Sequence, residues 1–389
     1  MFADLPFLRA GFRPFFLFAG LFAMLHIPVW LVLITGQAAL PLAFDPMLWH
    51  GHEMLFGFGT AAVAGFLLTA VPNWTGSRGV SGWPLALLAG LWLAARLAFL
   101  AGPGLTLWAA PALDLAFLPT LAAMLAGPLI RTGKSRNLVF LGLLTVLCVA
   151  DGLILAAMTG MAETGRNGLA LALFTLVLMI GIVGGRIIPA FTQSGLQAVG
   201  VAWQGHRLPG LEPAALALLG GVAIAEALAP GAAAGSALCL AAAVAHGLRL
   251  AGWQGWKTRR LPLLWVLHLG YLWIPLGLAA VGLAGFGLLP LPHEAALHGL
   301  TVGAIGTMTL GVMSRAALGH GGRPLVPAAA TVAAYLLVWS AAWLRLSAPL
   351  ADTHNLLWAS GLAWSGGFAL FVLVYAPICL RPRADGRPG

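Results

Sequence analysis

The chain has 389 residues, of which 60% are hydrophobic and 8% are charged, and its mean hydropathy is +0.95. Soluble domains devote about a quarter of their residues to charge, so a soluble globular fold is excluded. The net charge of +9 comes from short basic segments between apolar runs, which suit lipid headgroups and solvent and require no nucleic-acid partner.

A helix needs roughly 20 apolar residues to cross a ~30 Å hydrocarbon core, and runs of that length recur about twelve times. The expected fold is therefore an all-α polytopic membrane helix bundle, read as one transmembrane domain over 1–389 with a short basic tail at 381–389. The first span, 12–35, follows Arg9 and Arg13 and has no small-residue cleavage site, so it is expected to stay as a span and not to leave as a signal peptide. The second, 49–72, opens on Trp49-His50-Gly51-His52-Glu53-Met54. The third, 82–101, carries Arg96. The fourth and fifth, 108–130 and 137–160, carry Asp114 and Asp151. The sixth, 168–190, closes near Arg186, and the longest interruption follows, from about Thr192 to Glu212. The seventh and eighth, 213–229 and 231–250, are separated only by Pro230-Gly231. The ninth, 261–284, holds His268, and the tenth, 294–316, holds Glu294 and His298 and closes near Arg315. The last two are 325–346 and 355–380.

Numbered from a cytoplasmic N-terminus, the inside segments hold Arg9, Arg13, Arg78, Arg131, Lys134, Arg136, Arg186, Arg207, Arg249, Lys257, Arg259, Arg260, Arg315, Arg323, Arg381, Arg383 and Arg387. The outside segments hold only Arg166 and Arg345. That asymmetry predicts that both termini are cytoplasmic. The three cysteines, Cys148, Cys239 and Cys379, lie apart within spans and show no CxxC spacing, so each is expected to pack as a small apolar side chain. Tryptophans such as Trp49, Trp74, Trp83 and Trp108 are expected to mark the membrane interfaces.

Ionisable residues inside a membrane are costly and usually face a bundle interior where they bind or conduct something. Neutral imidazole is the commonest ligand of iron and copper and binds without a charge of its own. His50 and His52 are two residues apart and should point in nearly opposite directions on a regular helix. Either one looks inward, or the helix start is irregular at Gly51 and both converge. Glu53 is three residues from His50 and can share its face as ligand or supporting acceptor. His298 stands four residues after Glu294, on one helical face. His268 falls roughly 10 Å into the ninth span at 1.5 Å per residue, where a histidine must be hydrogen-bonded, protonated or metal-bound. His26 lies in the outer part of the first span, and His246 near a cytoplasmic edge where it can snorkel. His293 precedes a helix, where it either joins the His298 site or faces water or headgroups, the second being the expectation, and His206 and His320 are read as solvated residues of basic loops. Asp114, Asp151 and Glu226 are read as relay groups or as partnered structural carboxylates. Asn73 closes the second span.

An offset of 246 superposes His52 on His298, Gly57 on Gly303 and Gly65 on Gly311, and an offset of 117 superposes Pro72 on Pro189. Three pseudo-repeats of four spans are the expectation, with Thr69, Arg186 and Arg315 at equivalent depths. The plan is similar to the main subunit of haem-copper oxidases, in which histidines of the second and tenth helices ligate one haem. Here His298 and one of His50 or His52 would fill those roles, but the sixth and seventh spans lack the histidines of an oxidase copper site.

A more specific resemblance rests on His50-Gly51-His52-Glu53-Met54-Leu55-Phe56-Gly57-Phe58 and Ala64-Gly65-Phe66-Leu67-Leu68-Thr69-Ala70-Val71-Pro72-Asn73-Trp74-Thr75-Gly76. It extends to Gly184-Gly185-Arg186-Ile187-Ile188-Pro189, His268-Leu269-Gly270-Tyr271, and His298 with Gly303-Ala304-Ile305-Gly306-Thr307-Met308, then Arg315-Ala316 and Leu318-Gly319-His320. These motifs resemble the NnrS family in order over nearly the whole chain. The resemblance implies a bacterial cytoplasmic-membrane protein containing haem and copper, acting in denitrification and in the response to nitric oxide and nitrosative stress. By matching position it implies His50, His52, His268 and His298 as metal and cofactor ligands, with Glu53, Glu294, Asn73, Arg186 and Arg315 in support. His320 also matches, in a different role. An oxidoreductase acting on nitric oxide or iron-nitrosyl species, served by an unidentified electron donor, is one reading. A transporter or metal-handling protein with a histidine pathway site is the other.

Overall fold

A computed structural model describes residues 5–39, 42–101, 106–206 and 208–387; Arg207 and the last two residues of the basic tail lie outside them. The protein is all-α, with twelve helices long and apolar enough to cross a membrane and no strand among the described residues. They are α1 (Phe12–Ile34), α2 (Pro46–Thr75), α3 (Trp83–Leu100), α4 (Thr106–Thr132), α5 (Ser135–Met158) and α6 (Gly165–Ala198). The second half supplies α7 (Leu211–Leu228), α8 (Ala233–Ala251), α9 (Pro262–Gly285), α10 (His293–His320), α11 (Ala329–Ser347) and α12 (Thr353–Leu380). As a polytopic membrane protein it is surrounded by lipid, and exposed Leu97, Ile130, Ile224 and Leu373 are ordinary on such a surface.

The separation of the seventh and eighth spans holds, because α7 stops at Leu228 and Gly231 takes φ +77°. Two helices outrun their expected ends. Helix α6 continues through Pro189 to Ala198, so Arg186 lies well inside it, and α10 continues to His320. His320 is thus the last residue of a helix and not part of a solvated loop. Its ring packs 5.9 Å from that of Phe12.

Helices α2 and α10 share a local departure from α geometry. A π-helical stretch covers Glu53–Gly59 in α2 and Gly299–Gly306 in α10, each beginning one residue after the histidines that the offset of 246 aligns. A π turn closes i→i+5 hydrogen bonds and is frequent at functional sites.

The chain forms two compact units. One contains residues 1–172, 316–324 and 371–389. Small residues let its helices approach closely: a Cβ on Gly65 would lie 2.6 Å from Phe16 of α1. Arg13 is buried in the first turn of α1 and donates Nη1 to the carbonyls of Ile378, Cys379 and Arg381 at 3.1, 3.1 and 2.6 Å. The residue expected on the cytoplasmic surface instead caps the C-terminus of α12, whose last carbonyls have no partner within the helix.

The other unit contains residues 173–315 and 325–370. There α9 and α10 meet glycine to glycine, since a Cβ on Gly299 would lie 3.0 Å from the Gly277 Cα. Backbone approach of this kind is how helices associate where apolar burial offers no drive. Arg315 lies with its guanidinium 4.1 Å from the ring centroid of Phe191.

Candidate functional site

Helix α2 is fixed at its start by Asp45, whose Oδ1 accepts from the amides of Met47 and Leu48 at 3.0 and 2.9 Å, with Pro46 at the first helical position. The short α-helical segment then presents His50 and His52 in opposing directions, as a regular helix requires. His50 turns to α1. Its ring stacks 4.2 Å from Trp30, and its Nδ1 lies 3.2 Å from Nε2 of His26. Trp49 is buried beside His26, whereas Trp83 and Trp108 are exposed.

His52 turns the other way, into a cluster drawn from four helices. Its Nε2 lies 3.1 Å from Asp151 Oδ1 on α5 and 2.8 Å from Asp114 Oδ2 on α4. Its Nδ1 lies 3.1 Å from Glu53 Oε1. The same Glu53 oxygen accepts from Arg96 Nη1 of α3 at 2.7 Å, and Arg96 Nη2 donates to Asp114 Oδ1. Glu53 was expected on the face of His50. It engages His52 and Arg96 because the helix widens into its π stretch at that residue.

All five residues are at most 3% exposed. Phe56 and Phe99 pack on the His52 ring at 5.2 and 4.9 Å between centroids, and the Arg96 guanidinium sits 5.2 Å from the centroid of Phe99. Gly57 makes the room, since a Cβ there would lie 2.7 Å from Phe22 and 3.2 Å from Arg96 Nη1. Its carbonyl accepts from Trp92 Nε1 at 3.1 Å. Three carboxylates face one guanidinium and one imidazole. With the carboxylates ionised and the imidazole neutral, the cluster holds two uncompensated negative charges. His52, Asp114 and Asp151 each offer one donor atom within 4.8 Å of the others, so the group is able to hold a metal ion.

The second unit carries the other histidines. His298 Nδ1 donates to the Glu294 carbonyl at 2.8 Å, which fixes the tautomer and leaves the Nε2 lone pair for a ligand bond, the usual support of a metal-bound histidine. Glu294 itself is exposed and serves His298 through its backbone. His268 of α9 is buried, with Nε2 2.9 Å from Thr192 Oγ1 of α6, while its Nδ1 has no hydrogen-bond partner. A Cβ on Gly255 would lie 2.6 Å from that nitrogen.

His246 does not snorkel. It is fully buried, with Nε2 3.1 Å from the Ala215 carbonyl and Nδ1 2.7 Å from the Tyr271 hydroxyl. Arg249 joins that hydroxyl to Glu212 and to the Gly181 carbonyl, which satisfies His246 as a structural residue. His293 was expected to face water or headgroups. Its Nε2 lies 3.3 Å from Glu226 Oε2, which also accepts from the Gly231 amide at 3.0 Å. His206 is exposed, as read. Asn73 is exposed and donates to the Thr69 carbonyl at 2.9 Å, and Arg186 is half-buried in α6.

Sequence reasoning singled out Asp114 and Asp151 only as isolated groups and gave Arg96 no role. The signal for each was a charge within an apolar span. Their convergence around His52 and Glu53 joins residues 18 to 99 positions apart, and no spacing rule reveals it.

A family model described as NnrS protein matches residues 6–383, nearly the whole chain. No curated protein matches it.

Proposed function

The chain belongs to the NnrS family, and we propose that it is a haem- and copper-containing protein of the bacterial cytoplasmic membrane that handles nitric oxide during nitrosative stress and denitrification. The observation that carries this reading is the Nδ1 hydrogen bond from His298 to the Glu294 carbonyl, because it prepares one imidazole nitrogen at a family-matched position for iron. Bound haem and copper would supply one-electron exchange and a coordination position for nitric oxide.

The residues fit those groups unequally. His298 is the haem ligand we assign in its unit, held in one tautomer by its own helix. His50 is the haem-ligand candidate we assign in the other unit, oriented by the Trp30 ring and by His26. His52 is unsuited to holding haem, since both of its nitrogens face carboxylates. His268 suits copper, because its Nδ1 is buried without a partner while Thr192 holds the other nitrogen. The glycine contact of α9 with α10 packs the backbone beside His298 closely.

The test is optical and metal analysis of the purified protein beside His50→Ala, His52→Ala, His268→Ala and His298→Ala. Loss or a spin-state change of haem is expected in His298→Ala and in His50→Ala, with His52→Ala keeping its haem and His268→Ala losing copper. Unchanged spectra in all four would refute the assignment. The second reading, a cation-handling transporter, is favoured by one observation, the buried carboxylates of the His52 cluster. It predicts a colourless preparation without stoichiometric copper.

A further inference from the structure

We propose that His52, Asp114 and Asp151 form a binding site for one divalent first-row transition-metal ion, separate from haem and held within the unit that contains α2 to α5. The proposal does not depend on the haem assignment.

The argument begins with proton placement. A neutral imidazole has one N–H. Glu53 Oε1 lies 3.1 Å from His52 Nδ1, so a neutral His52 that donates to Glu53 turns its Nε2 lone pair toward Asp151 Oδ1 and Asp114 Oδ2. Those oxygens are 3.1 and 2.8 Å away. Three electron-rich atoms within 4.8 Å of one another repel unless a cation lies between them. Asp114 points the same way. Its Oδ1 is anchored by Arg96, whereas Oδ2 is buried with His52 Nε2 2.8 Å away, and it has no hydrogen bond when that nitrogen carries no proton. A buried carboxylate oxygen left so is costly, and a metal ion would satisfy it.

The geometry agrees with an ion. Two donors at the right angle of an octahedral site, each roughly 2.1 Å from a metal, are about 3 Å apart, which matches both observed separations. The surroundings supply the outer support that such ligands need: Glu53 orients the imidazole, and Arg96 bridges Glu53 and Asp114. Charge agrees too. The two uncompensated negative charges of the cluster are balanced by a divalent ion, in a site walled by Phe56 and Phe99 where bare charge is unfavourable.

The donors identify the class of ion. One imidazole nitrogen with two carboxylate oxygens suits Mn²⁺, Fe²⁺, Zn²⁺ or Cu²⁺, and lacks the sulfur that favours Cu⁺. The alternative is that protons alone balance the cluster.

The full-length protein in detergent is equilibrated with Zn²⁺ and desalted, and non-haem metal per chain is measured by mass spectrometry beside haem absorbance. Wild type is expected to retain one non-haem divalent ion more than Asp151→Asn and His52→Gln, with haem equal in all three. Equal metal in wild type and folded Asp151→Asn would overturn the proposal, as would wild type that retains no non-haem metal and so balances the cluster with protons. If the variants do not fold, His268→Ala loaded with Cu²⁺, which lacks the other copper ligand we assign, decides by electron paramagnetic resonance. Coupling to a single nitrogen is expected, and coupling to several or to none contradicts the site. Retained zinc without a Soret band would sink the haem reading alone, and a Soret band without retained zinc would sink this one alone.

Discussion

The Glu294 carbonyl accepts the Nδ1–H of His298, and the Glu53 carboxylate stands at hydrogen-bond distance from the same nitrogen of His52. His52 Nε2 meets Asp114 and Asp151, and on that contact rests its proposed role as ligand of a small cation, beside the proposed haem-ligand role of His298. Arg96 has the most to lose in this arrangement. It is the cation between Glu53 and Asp114, and removing one partner of a buried ion pair strands the other. Arg96→Met is expected to destabilise the protein by about 3–5 kcal/mol, measured as the loss of folded protein in a denaturant titration in detergent. A loss under about 1 kcal/mol would mean that the cluster is wet and screened. The opposed directions of His50 and His52 were legible from a two-residue spacing. The partner of each was not, because it depends on helices that sequence separates by tens of residues.

Helix ends and irregular turns carry the next level of argument. The π stretches of α2 and α10 fall at equivalent places under the offset of 246, a local likeness that supports the proposed repeat between those two spans. Hydropathy revealed every span yet ended α6 and α10 early, because Arg186 and Arg315 read as membrane boundaries while the helical hydrogen bonding simply continues past them. The tail after α12 shows a pH-sensitive contact outside the spans. Arg383 donates to both oxygens of Asp385, at 2.9 and 2.6 Å, and to the His320 carbonyl at 2.9 Å. The hydrogen bonds from Arg383 hold the Asp385 carboxyl down to about 2, below the ordinary value of about 3.9. A depressed carboxyl stabilises its contact at pH above the ordinary value and loses that stabilisation as pH falls through the depressed one. Pepsin should therefore release the tail faster from Asp385→Asn than from wild type near pH 4 (about the ordinary value), with the ratio falling toward one as pH approaches 2. A ratio that does not change with pH would remove Asp385 from the contact.

For the whole molecule, composition and loop charge revealed the class and the number of spans, and twelve helices bear them out. They could not reveal that Arg13, counted with the inside charges, is buried as a cap on α12. The orientation we propose survives that reassignment, since the remaining inside charges still far outnumber Arg166 and Arg345. A reporter fused after residue 389 that is active only in the cytoplasm is expected to be active, and activity of one that works only outside would reverse the topology. Within each unit the histidines, carboxylates and close glycine contacts follow from the chain's own residues, and their combined reading is a membrane metalloprotein. The central claim is best tested by measuring haem and copper per chain in purified wild type and His298→Ala. The account predicts a Soret band and stoichiometric copper in wild type, with the haem lost or changed in spin state in the variant. A wild-type preparation with neither a Soret band nor stoichiometric copper would contradict it.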